Sequence, residues 1–223
     1  LVENSAGKLD AQPYRMPKFR YENGEAIVDI SEGEVKMSVF GRHNLLNMEA
    51  AIAVWEALGV SRAEAYKAIS GFSGAAKRLE KILEKENLVA YRDFAHAPSK
   101  LQATLDAVRE AYPDHRLLAC FELHTYSSLN EEFLSEYKDS MNGADNAVVY
   151  FSHHALSLKG LPELDTATVK QHFGREDLEV IDNRSSLEAK VSEMLKTRQK
   201  PVCLLLMSSG TFDGIDWNSV SSQ

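Results

Sequence analysis

The sequence is short of several things that would each have named a class of protein. Only two cysteines occur in 223 residues, Cys120 and Cys203, and both lie inside apolar runs, Leu-Leu-Ala-Cys-Phe and Val-Cys-Leu-Leu-Leu-Met. That placement excludes a disulfide framework and reads as buried strand, which fits a reducing cytoplasm. No apolar stretch approaches the roughly 20 residues needed to span a bilayer. The amino end, Leu-Val-Glu-Asn-Ser-Ala-Gly, lacks the charged-then-apolar order of a signal peptide. Neither a membrane span nor secretion is expected. Basic charge is scarce as well: 25 Lys and Arg stand against 33 Asp and Glu, a net charge of −8, with no concentrated basic patch. A nucleic-acid partner is disfavoured on that ground. An anionic ligand would have to be held by individually placed side chains and backbone N–H groups.

Two glycine motifs are missing too. The first strand of the alternating region ends in Asp93-Phe94-Ala95-His96-Ala97-Pro98 with no glycine before its helix. A dinucleotide-binding turn of the G-x-G-x-x-G type, and with it an oxidoreductase reading, is therefore disfavoured. Nowhere does G-x-x-x-x-G-K-[ST] occur, so these residues contain no loop of that kind to cradle a triphosphate.

What is present divides in two. Pro13, Pro17, Gly24 and Gly33 punctuate short β-prone segments, Ala26 to Ile30 and Val35 to Phe40, with Glu22-Asn23-Gly24-Glu25 as a turn signal. A small antiparallel sheet is expected there. From Asn44 to Leu58 the apolar residues Leu45, Met48, Ile52 and Trp55 recur at helical spacing, closed by Gly59. Ser61 and Glu64 form a capping box for a second helix, ending near Gly71. From Leu88 onward strand and helix alternate: strands Leu88–Arg92, Arg116–Phe121, Ala147–Phe151, Leu178–Ile181 and Val202–Met207; helices Ser99–Ala111, Glu131–Met141, Thr166–His172 and Ser185–Lys196. Such alternation predicts a mostly parallel sheet covered on both faces. The boundary is placed near Ala75 to Lys77, separating 1–76 from 77–223.

In open α/β sheets ligands sit beyond the carboxyl ends of the strands. Four strand exits here are unusually polar: Asp93 to Pro98, Glu122 to Ser128, Ser152-His153-His154, and Ser208-Ser209-Gly210-Thr211. Loops are polar in general, but four such runs on one sheet edge point to a binding site.

The run Gly41-Arg42-His43-Asn44-Leu45-Leu46-Asn47 before the Ala-rich helix, Ala76-Lys77-Arg78-Leu79-Glu80, and Asp93-Phe94-Ala95-His96-Ala97-Pro98 resemble, in order and spacing, three segments of the Mur ligases. The resemblance covers about Tyr14 to Asn218. It implies a Rossmann-like C-terminal α/β domain preceded by a strand and helix-pair remnant of the central ATP-binding domain. It also implies that the amino-terminal UDP-binding and P-loop portions of such a ligase lie upstream; a first residue of Leu rather than Met hints at the same. Within the family, Phe121-Glu122-Leu123-His124 with Thr125 to Ser128, and Met207-Ser208-Ser209-Gly210, look most like the murein peptide ligase branch. The L-alanine-adding branch is next. The Asp-Asn-Pro-Arg signature of the diaminopimelate-adding branch is missing, since Asp182-Asn183-Arg184 lacks the proline.

The activity implied is ATP- and magnesium-dependent amide formation on UDP-N-acetylmuramate through an acyl phosphate, with a peptide or amino acid as acceptor. The isolated chain is expected to be inactive. By the same resemblance His43, Asn44 and Asn47 would meet adenine, Asp93 would meet the ribose, and Arg78 would meet the nucleotide phosphates. His96 and His124 would join Arg78 in the catalytic set, and His124, Thr125, Ser127 and Ser209 would line the acceptor site. Plainer readings exist: Asn44 as an N-cap, Arg78 paired to Glu80, Asp93 as a turn former. No metal-ligand spacing is seen among the seven histidines, so magnesium would be held mainly by ATP and the upstream portion. The rival from another class is a non-catalytic nucleotide-binding or scaffold module. It is favoured by the absent P-loop and opposed by Asn44, Asn47, Arg78, Asp93 and His96 occurring together.

Overall fold

Asn23 and Gly24 both take positive φ, 51° and 78°, the conformation a two-residue hairpin turn demands and that Asn-Gly tolerates best. The turn joins β1 (Phe19–Glu22) to β2 (Glu25–Ile30), and β3 (Gly33–Met37) completes an antiparallel sheet in the order β1-β2-β3. This computed structural model describes residues 13–196 and 200–220. Two helices follow the sheet, α1 (Arg42–Ala57) and α2 (Arg62–Ile69). Buried Glu49 on α1 accepts hydrogen bonds from Tyr66 and Arg62 of α2, which ties the pair together. Ser61 and Glu64 form the expected reciprocal capping box.

Two details differ from the sequence reading. Helix α1 begins at Arg42 with Gly41 as its N-cap, at φ +91°, and without any side-chain cap. Asn44 is therefore not the N-cap; it lies inside the first turn and donates its amide to the Phe40 carbonyl at 2.9 Å. Strand β3 stops at Met37 rather than Phe40, because the chain must turn from Ser38 toward the glycine that opens α1.

The chain divides into compact units after Ser73. The second carries a six-stranded sheet in the order β4-β5-β9-β6-β7-β8, made of β4 (Glu80–Lys85), β5 (Leu88–Asp93), β6 (Arg116–Leu123), β7 (Asn146–Phe151), β8 (Glu179–Ile181) and β9 (Val202–Met207). All neighbours are parallel except β4 on β5. Helices α3 (Pro98–Ala111), α5 (His153–Leu158), α6 (Thr166–Phe173) and α7 (Arg184–Lys196) connect the strands, with short helices α4 (Glu131–Leu134) and α8 (Trp217–Val220). Alternate residues of each strand face opposite layers. Leu118 and Cys120 of β6 join Val148, Leu204, Leu206 and the α7 residues Leu187 and Val191 in one core layer. On the other face Phe121 packs against Tyr137 and Phe173, ring centroids 5.3 and 6.4 Å away. Both cysteines are free and buried, and burial pushes the Cys120 thiol up to about 12.

Four elements depart from expectation. Strand β4 is extra, since its Glu-Lys-Ile-Leu-Glu-Lys sequence, bulged between Lys81 and Leu83, shows no clean alternation; charged residues and a bulge are how an edge strand avoids further pairing. The helix expected over Glu131–Met141 ends at Leu134 and continues only as a 3-10 turn to Tyr137. Its end is fixed by Asp139 at φ +62° and by Tyr137, which stacks on Phe173 and donates its hydroxyl to the His96 carbonyl at 2.5 Å. His153 opens helix α5 instead of lying in a loop. Strand β6 runs on to Leu123, so Glu122 is a strand residue rather than the start of a loop.

Candidate functional site

Strands β5, β9, β6 and β7 are consecutive in the sheet, and all four run in the same direction. Their polar exits therefore collect along one edge. Pairing matches Asp93 with Met207 and Phe121 with Met207, so β6 reaches two residues further than its neighbour β9. The last residues of β6 stand over the loop that leaves β9.

That overhang builds a polar cluster. Glu122 is 2% exposed. Its Oε2 accepts hydrogen bonds from the Ser208 hydroxyl and, at 2.8 Å, from the Phe212 N–H. Ser208 Oγ in turn accepts the Gly210 N–H at 2.6 Å. The remaining carboxylate oxygen, Oε1, lies 3.6 Å from His124 Nδ1. Gly210 is packed flush against both groups: a Cβ there would fall 2.7 Å from His124 Nδ1 and 2.8 Å from Glu122 Oε2. No side chain larger than hydrogen fits without displacing the pair. Sequence reading quoted Glu122 only as part of a motif; its period-two relation to Leu118 and Cys120 was the signal that it turns inward.

Asp93 is also buried, at 7% exposure. Its Oδ2 accepts the Leu79 N–H at 2.7 Å, and Oδ1 accepts the Ala95 N–H at 2.7 Å and the Thr104 hydroxyl at 3.3 Å. The carboxylate offered to ribose hydroxyls thus already organises its own loop and the segment that carries Arg78. Lys77 and Leu79, on either side of Arg78, both have positive φ, 58° and 50°. Such strain persists only where surrounding structure imposes it, and the Leu79 to Asp93 bond is one such restraint. Arg78 itself is exposed. Glu80, its suggested partner, pairs instead with Arg92 at 2.9 Å and with the Lys77 N–H at 2.8 Å.

His96 is partly buried, with Nδ1 2.9 Å from the Phe94 carbonyl. A carbonyl only accepts, so Nδ1 carries the proton and the neutral ring keeps Nε2 as an acceptor. Thr125 turns inward on its own loop: its Oγ1 accepts the Ser128 N–H at 3.1 Å and bonds Ser128 Oγ at 2.9 Å. Ser127 is exposed, 3.2 Å from the Thr125 hydroxyl. The Ser209 hydroxyl is buried without a partner among the described residues. His43, Asn44 and Asn47 belong to the first unit, where His43 and Asn47 are exposed and Asn44 is half-buried.

Residues 77–210 match the family model of the Mur ligase glutamate ligase domain. The chain belongs to the Mur ligase family. Among curated relatives, the UDP-N-acetylmuramate–L-alanine ligase of Brachyspira hyodysenteriae is 35% identical over 129 residues, covering 58% of this chain and 26% of that protein. The match thus spans only about a quarter of that relative's length. Among solved structures, the UDP-N-acetylmuramate-alanine ligase of Thermotoga maritima superposes with a TM-score of 0.66 at 18% identity, over 96% of this chain and 45% of that one. A murein peptide ligase from Psychrobacter arcticus gives 0.55 at 22% identity, over 91% and 43%. At such identities the two structures establish the fold, a Mur ligase C-terminal α/β domain with a mostly parallel sheet.

Proposed function

We propose that this chain forms the carboxyl-terminal part of an ATP-dependent ligase that joins an amine to the carboxyl group of UDP-N-acetylmuramate. The observation that carries the reading is the gathering of His96, His124 and the Glu122–Ser208 cluster at neighbouring strand ends of a domain from this family. Activation of the carboxylate as an acyl phosphate is the chemistry ATP supplies. What falls to the residues here is positioning and charge balance, which contribute much of the rate in such reactions.

The donor set fits a nucleotide in part. Asn47 presents an exposed amide suited to an adenine edge, and Arg78 an exposed guanidinium suited to phosphate. Asp93 fits a ribose less well, because both oxygens already accept hydrogen bonds from its own domain. We assign it instead to holding the Arg78 segment in place. The described residues contain no group of three or more His, Cys, Asp or Glu able to hold a metal. We propose that magnesium arrives on the nucleotide phosphates.

For the acceptor we favour a peptide. The support is the polar segment His124 to Ser127, half-buried at His124 and Thr125 and exposed at Tyr126 and Ser127, which offers length as well as hydrogen bonds. The alanine-adding reading has its own support in the name of the Brachyspira relative. Amide formation by the full-length protein separates the two. The peptide reading requires the tripeptide L-Ala-γ-D-Glu-meso-diaminopimelate to be ligated with a higher kcat/KM than L-alanine; the reverse ranking assigns the chain to the alanine-adding branch.

A further inference from the structure

Glu122 poses a question of charge. A carboxylate removed from water must be satisfied by hydrogen bonds or a counter-charge, yet at 2% exposure the only basic side chain within ion-pair reach among the described residues is His124. Its two oxygens are treated differently. Oε2 is fixed by the Ser208 hydroxyl and the Phe212 N–H, so the carboxylate cannot rotate freely. Oε1 is left facing the imidazole at 3.6 Å. Gly210 lies beside both groups, and a side chain there would push them apart. His124 keeps 37% of its side chain exposed, so the ring has one edge against a locked carboxylate and the other edge accessible. At 3.6 Å this is an ion-pair contact rather than a hydrogen bond; a small turn of the imidazole that closes the gap would let the carboxylate select its tautomer and leave the far nitrogen as a base. His153 offers a contrast: both of its nitrogens are held by carboxylates, Glu163 at 2.6 Å and Asp182 at 3.1 Å, and neither is left for a ligand.

We propose that Glu122 is a positioning residue that holds His124 in the Nδ1–H tautomer, so that Nε2 accepts a proton from the ammonium group of the incoming acceptor. The proposal rests on the ligase reading given above. An N–H bond of the ammonium breaks with its electron pair staying on nitrogen, the proton passes to Nε2, and Glu122 balances the imidazolium charge. The freed amine then forms the C–N bond to the acyl phosphate carbon, while phosphate departs with the electron pair of the C–O bond and takes up the second proton that the nitrogen must lose to become an amide. His124 is the catalytic residue of the pair. Glu122 acts through it, and Ser208, Phe212 N–H and Gly210 act through Glu122.

Glu122→Gln discriminates sharply. To keep accepting from Ser208 and Phe212, the Gln oxygen must occupy the Oε2 position, which places its NH2 opposite Nδ1. The ring must then become an acceptor at Nδ1 and carry its proton on Nε2, the wrong tautomer for a base. The tautomer is read by two-bond ¹H–¹⁵N correlation on ¹⁵N-histidine-labelled protein, with His124 assigned by its loss in His124→Gln. The wild-type neutral ring should show Nδ1–H, and Glu122→Gln should move the proton to Nε2. In the full-length enzyme the same substitution should lower kcat roughly 100-fold with little change in the acceptor KM. An Nε2–H tautomer in the wild type overturns the pairing, whatever the enzyme does. An Nδ1–H wild-type ring with undiminished kcat in Glu122→Gln overturns the proton transfer. A full-length wild-type protein that forms no amide overturns the ligase reading and with it the ammonium as proton donor, while the tautomer still judges the Glu122–His124 pair.

Discussion

His153 shows how a single residue can be read in the sequence and yet mean something else in the structure. It follows β7, in one of the polar strand exits read as a binding edge, but its ring bridges Glu163 and Asp182. The hydrogen bond to Asp182, then the one to Glu163, raise the imidazole pKa, and His153 in turn lowers that of Asp182. A cation whose pKa rises on folding stabilises fully below its unfolded value, and that contribution is lost as pH climbs through the folded value. A carboxylate whose pKa falls on folding contributes above its unfolded value and loses the contribution as pH drops through the folded one. The bridge is therefore strongest in the mildly acidic range between the two. With His153 48% exposed, solvent screening should hold its worth to about 0.5 kcal/mol. Denaturant melts of His153→Gln should show less loss of stability than wild type between roughly pH 6 and 8; an unchanged pH slope would remove the bridge as its source. Asp93 makes the same point differently. Its position at a strand end was legible, but two backbone amides decide its role, and neither leaves a mark in the order of side chains.

At the scale of elements, features that depend on neighbours in sequence were visible and features that depend on distant packing were not. The Asn23-Gly24 turn and the Ser61–Glu64 capping box are local devices, and both form as read. Because Ser61 satisfies the Glu64 N–H at the start of α2, Ser61→Ala should cost about 1 kcal/mol. A shift in the urea midpoint of that size checks it, and no shift would mean that the α1–α2 contacts alone hold the helix. Strand β4, by contrast, is an edge strand whose charges conceal it. The early end of α4 depends on Tyr137 reaching Phe173 and His96, partners 36 and 41 residues away. Of the candidate site, the strand exits and His124 could be located from alternation alone. The inward carboxylate of Glu122 carries the same period-two signal, but it falls beyond the expected strand end at Phe121, two residues short of the observed end at Leu123.

Across the whole molecule, the polar exits occupy four adjacent parallel strands of the second unit, while His43, Asn44 and Asn47 lie in the first. The nucleotide contacts proposed for Asn47 and Arg78 come without the G-x-x-x-x-G-K-[ST] motif, whose Gly-rich nest, lysine and hydroxyl hold transferring phosphates and magnesium. On the proposed contacts a nucleotide bound to this chain alone would find no cradle for its phosphates, whose charge would largely face solvent. Isothermal titration of the 223-residue chain with ATP, ADP and AMP in the presence of magnesium tests this directly. The account predicts weak binding of similar strength for all three. ATP bound far more tightly than AMP, in a magnesium-dependent way, would reveal a phosphate site within these residues and contradict it.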